Sequence, residues 1–154
     1  MKHTPLKRSK KPLRQHSKKS PKLTSRKILV AVLDSIFSLY IRLRDIRKYK
    51  VCPFCGVEPI QQCFHMITRC KFSVRWDEQN AVGSCSGCNL KNEYEPASFI
   101  RWYVMEFGEE QWDDLLRRSN VIAKFSNEDL KELLVKYRKK LEVQNEKSIP
   151  MESI

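Results

Sequence analysis

The chain has 154 residues, the size of one domain with tails, and its 30 Lys and Arg against 18 Asp and Glu give a formal net charge of +12. The opening "MKHTPLKRSKKPLRQHSKKSPK" stays polar throughout, without the short basic end and apolar run expected of a secretory signal, and the apolar stretch "ILVAVLDSIFSLYI" is too short for a membrane span and contains Asp34. A cytosolic protein is therefore expected, whose six cysteines serve metal binding rather than disulfides.

The charge is unevenly placed. Residues 1–27 hold 11 Lys and Arg and no acid, whereas the remainder holds 19 basic and 18 acidic side chains. A run of this composition cannot bury enough apolar surface to offset its ordering entropy, so a disordered basic tail over 1–27 is expected. A solvated tail without a role is one reading. Contact with a polyanion, most simply nucleic acid, is the favoured one, with Lys7, Arg8, Lys10, Lys11, Arg14, Lys18 and Lys19 meeting phosphates and releasing counterions.

Helical spacing begins near Ser25 and places a helix over 28–48. Leu29, Val32, Leu33, Ile36, Tyr40 and Leu43 recur three and four apart and make one apolar face. Arg42, Arg44 and Arg47 near its end either complement the helix dipole or reach a phosphate.

Residues 49–95 carry the cysteines, most of the turn signals and few long apolar runs. Cys52 and Cys55 form one CxxC pair, and Cys85 and Cys88 form another. A two-residue gap lets two thiolates from one tight turn reach the same ion, and two such turns complete a tetrahedron. Four thiolates close the shell, so the expected zinc is structural. The separation between the pairs exceeds the roughly 15–20 residues of a simple zinc ribbon, so the insertion has work of its own. Cys63 and Cys70 have no partner at metal spacing and read as small side chains, one on a strand and one in a loop.

After Pro96 the chain is helical again, through about residue 145. "ASFIRWYVMEF" runs to a stop at Gly108, "EEQWDDLLRRS" forms a short helix, and Ser126 with Asp129 fits a capping box ahead of Leu130, Leu133, Leu134, Tyr137 and Leu141. The aromatics Phe99, Trp102, Tyr103, Phe107 and Trp112 read as core. Residues 146–154 read as a frayed end.

Taken singly, His65, Asn80 and Asn89 are ordinary: a packed or surface histidine, an unremarkable amide, and an Asn that caps a helix. Their order, with Asn89 directly after the second CxxC, resembles the HNH (ββα-metal) nuclease motif. "SIFSLYIRLRD", then CxxC, "HMITR", "RWDEQN", "CSGCN" and "FGEEQWDDLL" together resemble the phage NinG family, also called Rap, over roughly residues 30–142. Two positions depart. The family has a small residue and Gly before the histidine, where this chain has Cys63 and Phe64, and Phe64 cannot replace the Asp ligand of many HNH enzymes. The family's Gly-Asn past the knuckle reads here as Tyr94-Glu95.

The resemblance implies an α+β, mostly helical fold: a small zinc-stapled ββα-metal module flanked by an N-terminal helix and C-terminal helices. It implies an endonuclease acting on branched DNA such as Holliday junctions or D-loops, in the bacterial host cytoplasm. His65 would take a proton from water, Asn89 would hold a catalytic Mg²⁺ or Mn²⁺, and Asn80 would hold the His65 loop through backbone hydrogen bonds. Asp77 would either help ligation or orient Arg75. Arg69 and Arg75 would either clamp phosphate or form surface ion pairs, for instance Arg75 with Asp77. Resolving a four-way junction needs two nicks, so a homodimer fits. The rival reading is a non-catalytic zinc-containing DNA-binding recombination accessory protein; a zinc-stapled protein adaptor is a third.

Overall fold

A 25-residue helix, α1 (Ser25–Tyr49), leads the fold in the computed structural model, which describes residues 25–146. Its deepest residues, Leu33, Phe37, Tyr40, Ile41 and Asp45, recur three and four apart. The buried band is wider than the stripe expected from spacing and takes in Phe37 and Ile41, because α1 is covered by two neighbours. One is the last helix, α5 (Asn127–Glu146); the other is a two-stranded sheet of β1 (Gln62–His65) and β2 (Ala81–Ser84). Leu33, Phe37, Tyr40 and Ile41 form the main core with Trp76, Ala81, Leu130, Tyr137 and Leu141. The Tyr137 ring meets Phe37 edge-on at 4.9 Å, and its hydroxyl donates to the Trp76 carbonyl at 2.6 Å.

Helix starts and stops follow local chemistry. The capping box at α5 is formed: the Ser126 amide donates to the Asp129 carboxylate at 2.6 Å, and the Asp129 amide donates to Ser126 Oγ at 3.1 Å. Helix α3 (Pro96–Phe107) begins on its proline and ends at Gly108, whose φ of 96° breaks the helix before α4 (Glu109–Ser119). Helix α4 has two acids in its first turn and Arg117 and Arg118 in its last, both matching the helix dipole. Val74, Tyr103 and Leu115 form a second, smaller core between these helices and the β1–β2 connection.

The helix α1 starts three residues inside the segment expected to be tail. Arg26 donates to Asn127 Oδ1 at 3.1 Å and to the Phe125 carbonyl at 2.8 Å, which ties the start of α1 to the start of α5. Lys7, Arg8, Lys10, Lys11, Arg14, Lys18 and Lys19 lie outside the described residues, as does the end from residue 147. Among the described residues no helix is long and apolar enough to cross a membrane.

The sheet is antiparallel, with Gln62 opposite Ser84 and His65 opposite Ala81. It is seated on α1 by a buried carboxylate. Asp45 is 1% exposed and accepts from the Arg44 guanidinium at 2.7 and 2.9 Å and from the Gly83 amide at 2.6 Å. Burial of a charge on this scale requires such pairing. A Cβ at position 83 would stand 2.7 Å from Ile60 Cγ2 and 3.0 Å from Asp45 Cβ. Gly83→Ala is therefore expected to push β2 off α1 and to cost about 1–3 kcal/mol of stability in urea unfolding of the metal-loaded protein. An unchanged midpoint would show that the strand yields freely.

Candidate active site and metal centre

The four CxxC cysteines meet in space. In the first turn the Cys52 carbonyl accepts from the Gly56 amide at 2.8 Å, and Gly56, with φ of 70°, reverses the chain so that the Cys52 amide reaches the Glu58 carbonyl at 2.7 Å. In the second, Cys85 caps a short helix, α2 (Ser86–Lys91), its Sγ accepting from the Cys88 amide at 3.3 Å. All four sulfurs lie within 4.8 Å of one another, and those of Cys55 and Cys85 are 3.9 Å apart. A tetrahedral ion with bonds of about 2.3 Å sets its sulfurs about 3.8 Å apart. The cluster therefore fits one metal ion such as zinc and leaves no place for a fifth ligand from β1. Amides of Glu58 and Val57 bring the Cys55 thiol down to about 7, whereas burial pushes the thiols of Cys52 and Cys88 up, so that without an ion the cluster is not all thiolate. Cys63, on β1, and Cys70, in the following loop, stand outside the cluster. Burial pushes the Cys63 thiol up to about 12, which keeps it protonated.

Strand β1 runs straight from this centre to His65, its last residue. Phe64, which precedes it, is fully buried against Phe54 of the first cysteine turn and Phe99 of α3, at ring distances of 4.8 and 5.0 Å. Alternation along the strand then turns His65 the other way, toward α1, where its ring lies 6.0 Å from that of Phe37. His65 Nε2 is 3.1 Å from the Arg75 carbonyl oxygen. A carbonyl only accepts, so Nε2 carries the proton and Nδ1 keeps its lone pair. Burial holds the imidazole down at about 4, so it stays neutral through the physiological range.

His65 lines a cleft of about 420 Å³ together with Arg69 and Asn89, and with Asp34 and Ser38 of α1 and Asn92 and Glu93 beyond α2. Asn89 does not cap the helix as its position after the knuckle suggested. Cys85 does that, and Asn89 is the fourth residue of α2, with its exposed side chain making no hydrogen bond among the described residues. Asn80 is not in the cleft. It is fully buried under the β1–β2 connection, accepting from the Ile67 amide at 2.7 Å and donating to the carbonyls of Ile67 and Val74 at 3.0 and 2.9 Å. Three backbone bonds from one side chain fix the chain that follows His65.

The two arginines part company. Arg69 is exposed at the rim of the cleft. Arg75 is not free to clamp phosphate: its fork grips Asp34 of α1 at 2.9 and 2.6 Å, and a third donor reaches the Arg69 carbonyl at 3.0 Å. The expected pairing of Arg75 with Asp77 also gives way. Asp77 pairs with Arg118 of α4 and accepts from the Gln79 amide at 2.9 Å, so it neither orients Arg75 nor lines the cleft. Arg44 is likewise committed, to Asp45 and to the carbonyls of Glu78 and Ala81 at 3.0 and 2.8 Å. Asp34 is the site residue that sequence reasoning missed. Its signal was there: a single acid inside an apolar helical stretch needs a partner.

For a second, hard cation the cleft offers oxygen donors. Asn89, Asn92 and Glu93 bring amide and carboxylate oxygens of the kind that Mg²⁺ and Mn²⁺ take. Phe64 contributes none, being enclosed among aromatic rings.

The neutral His65 has a consequence for stability. Well above pH 6.5 neither folded nor unfolded chain protonates it. As pH falls from 6.5 toward 4 the unfolded chain takes up a proton that the folded site refuses, so stability falls with pH. The loss by pH 4 is on the order of 3 kcal/mol. Urea unfolding between pH 7.5 and 4.5 is expected to show this extra loss in the wild type relative to His65→Gln, in which the cysteine centre titrates equally. Parallel curves would mean that the ring is solvated.

Compared with protein-family models, curated proteins and solved structures, the chain matches none.

Proposed function

We propose that the protein is a metal-dependent DNA endonuclease of the HNH type, related to the phage NinG recombination nucleases and directed at branched DNA such as Holliday junctions or D-loops. The observation that carries this reading is the shared cleft: His65 with a fixed Nε2–H, Asn89 with an uncommitted amide, and Arg69 at the rim. Two antiparallel strands followed by a short helix, with cysteine pairs at both ends, also suit a zinc-stapled ββα-metal module.

In this reading zinc holds the fold through Cys52, Cys55, Cys85 and Cys88 and does no chemistry. His65 Nδ1 takes a proton from water as the water oxygen bonds to phosphorus and the bond from phosphorus to the leaving sugar oxygen breaks. Arg69 bears on the phosphate charge. Asn89 would hold a Mg²⁺ or Mn²⁺ ion, which would supply charge stabilisation at the phosphate and the leaving oxygen. Asn80 keeps the loop after His65 in place. Two nicks across a junction call for two copies of the chain. The deciding experiment is nicking of a four-way junction by purified protein with Mg²⁺, wild type beside His65→Ala. The enclosed Phe64, where many HNH enzymes have a ligand, favours the rival reading of a DNA-binding accessory protein, which binding without cleavage would support.

The tail supplies a further expectation. Residues 1–24, which precede α1, contain nine Lys and Arg and no acid. Each phosphate contact contributes about −0.9 to the slope of log K against log salt on duplex DNA. Deleting 1–24 is expected to flatten that slope by several units while preserving any preference for a junction over a matched duplex, since such contacts carry no shape information. A salt titration with an unchanged slope would mean that the tail does not touch DNA.

A further inference from the structure

The peptide that holds His65 is itself held, and from outside the module. Asp34 Oδ1 accepts from Arg75 Nε and from Trp76 Nε1, both at 2.9 Å, and Oδ2 accepts from Arg75 Nη2 at 2.6 Å. One carboxylate of α1 thus grips two consecutive side chains. The carbonyl between those two residues is the one that accepts the His65 proton. We infer that Asp34 is a positioning residue for His65, pinning the Arg75–Trp76 peptide so that its carbonyl fixes which ring nitrogen is protonated and where the other one points. The inference rests on the reading of His65 as the base, and extends it to a residue 31 positions earlier in the chain.

The geometry favours a rigid link. The Asp34 and Arg75 side chains are 23% and 16% exposed, so solvent competes weakly for the pair. A bidentate fork fixes direction as well as distance. Trp76 has its own anchors: Tyr137 holds its carbonyl at 2.6 Å, and Phe72 and Phe125 meet its ring edge-on, each at 5.6 Å. Loss of the Asp34 contact therefore leaves the tryptophan seated and frees chiefly the Arg75 side of the peptide. The Arg75 guanidinium also reaches the Arg69 carbonyl at 3.0 Å, so the same fork steadies the backbone of the residue at the cleft rim.

The test uses the full chain loaded with zinc, without DNA, and reads the His65 ring by ¹⁵N NMR. In the wild type the Nε2–H signal is expected to be protected from solvent exchange. In Asp34→Asn, which keeps the size of the side chain and loses its charge and half its acceptors, exchange is expected to speed up about tenfold. A parallel cleavage assay is expected to show kcat lowered about 10- to 100-fold with KM nearly unchanged. A merely structural ion pair would lower the melting temperature and move neither readout. Unchanged Nε2–H exchange in folded Asp34→Asn, or a wild-type ring protonated on Nδ1, overturns the inference. If Asp34→Asn does not hold its fold, Arg75→Lys, which keeps the carbonyl and removes the fork, decides by the same two measurements. If the wild type cuts no DNA, the nuclease reading fails while the NMR arm still decides whether Asp34 sets the ring.

Discussion

Serine at Cys52 or Cys88 is expected to empty the metal centre and unfold residues 49–95. A structural zinc contributes on the order of 10–16 kcal/mol in small peptides, as much as or more than the roughly 5–15 kcal/mol by which whole domains are stable. The centre organises more than its own turns. Phe54, between Cys52 and Cys55, carries the first turn into the cluster of Phe64, Phe99 and Trp102. Cys85 directly follows β2 and caps α2, the helix of Asn89. Without the ion the Gln62–Ser84 end of the sheet comes loose, and the α2 side of the cleft with it. Cys63→Ser and Cys70→Ser, outside the cluster, are expected to keep one zinc per chain. Metal analysis with circular dichroism separates the two groups, and equal zinc loss in all four variants would refute the ligand assignment.

Alanine at His65 is expected to lower cleavage of a four-way junction about 10²- to 10⁴-fold, the share that a positioned acid–base group supplies. Zinc content, fold and DNA binding should stay near wild type, because Phe64 and the β1–β2 ladder hold the strand, and water entering the space left by the ring can donate to the Arg75 carbonyl where it stands. Asn89→Ala is expected to reduce cleavage and raise the Mg²⁺ needed, since it removes an oxygen donor from the cleft. Undiminished nicking by His65→Ala would take His65 out of the mechanism and the nuclease reading with it.

The features legible in the sequence are those set by contacts a few residues apart. A CxxC gap brings two thiols to one turn, Ser126 and Asp129 cap the helix they precede, Gly108 stops one, and helical spacing marks α1 and α5. The four cysteines were recognisable because the chemistry of one ion demands all of them. The partners of single charges were not. Arg75 has Asp77 two residues away and binds Asp34, 41 residues away, while Asp77 is taken by Arg118 at the same separation. Buried Asp45 pairs with the adjacent Arg44, but the Gly83 amide that completes its set of partners arrives only with β2. Neighbours in sequence offer a charge little shelter from water, whereas packing α1 against the sheet and the β1–β2 connection brings distant groups together where solvent competes poorly. Composition, periodicity and spacing thus determined the four-cysteine cluster that can hold a metal, and the long helices. Tertiary packing alone decided that α1 reaches the His65 loop through Asp34, because only there does a carboxylate in an apolar helix meet the guanidinium of Arg75, 41 residues away.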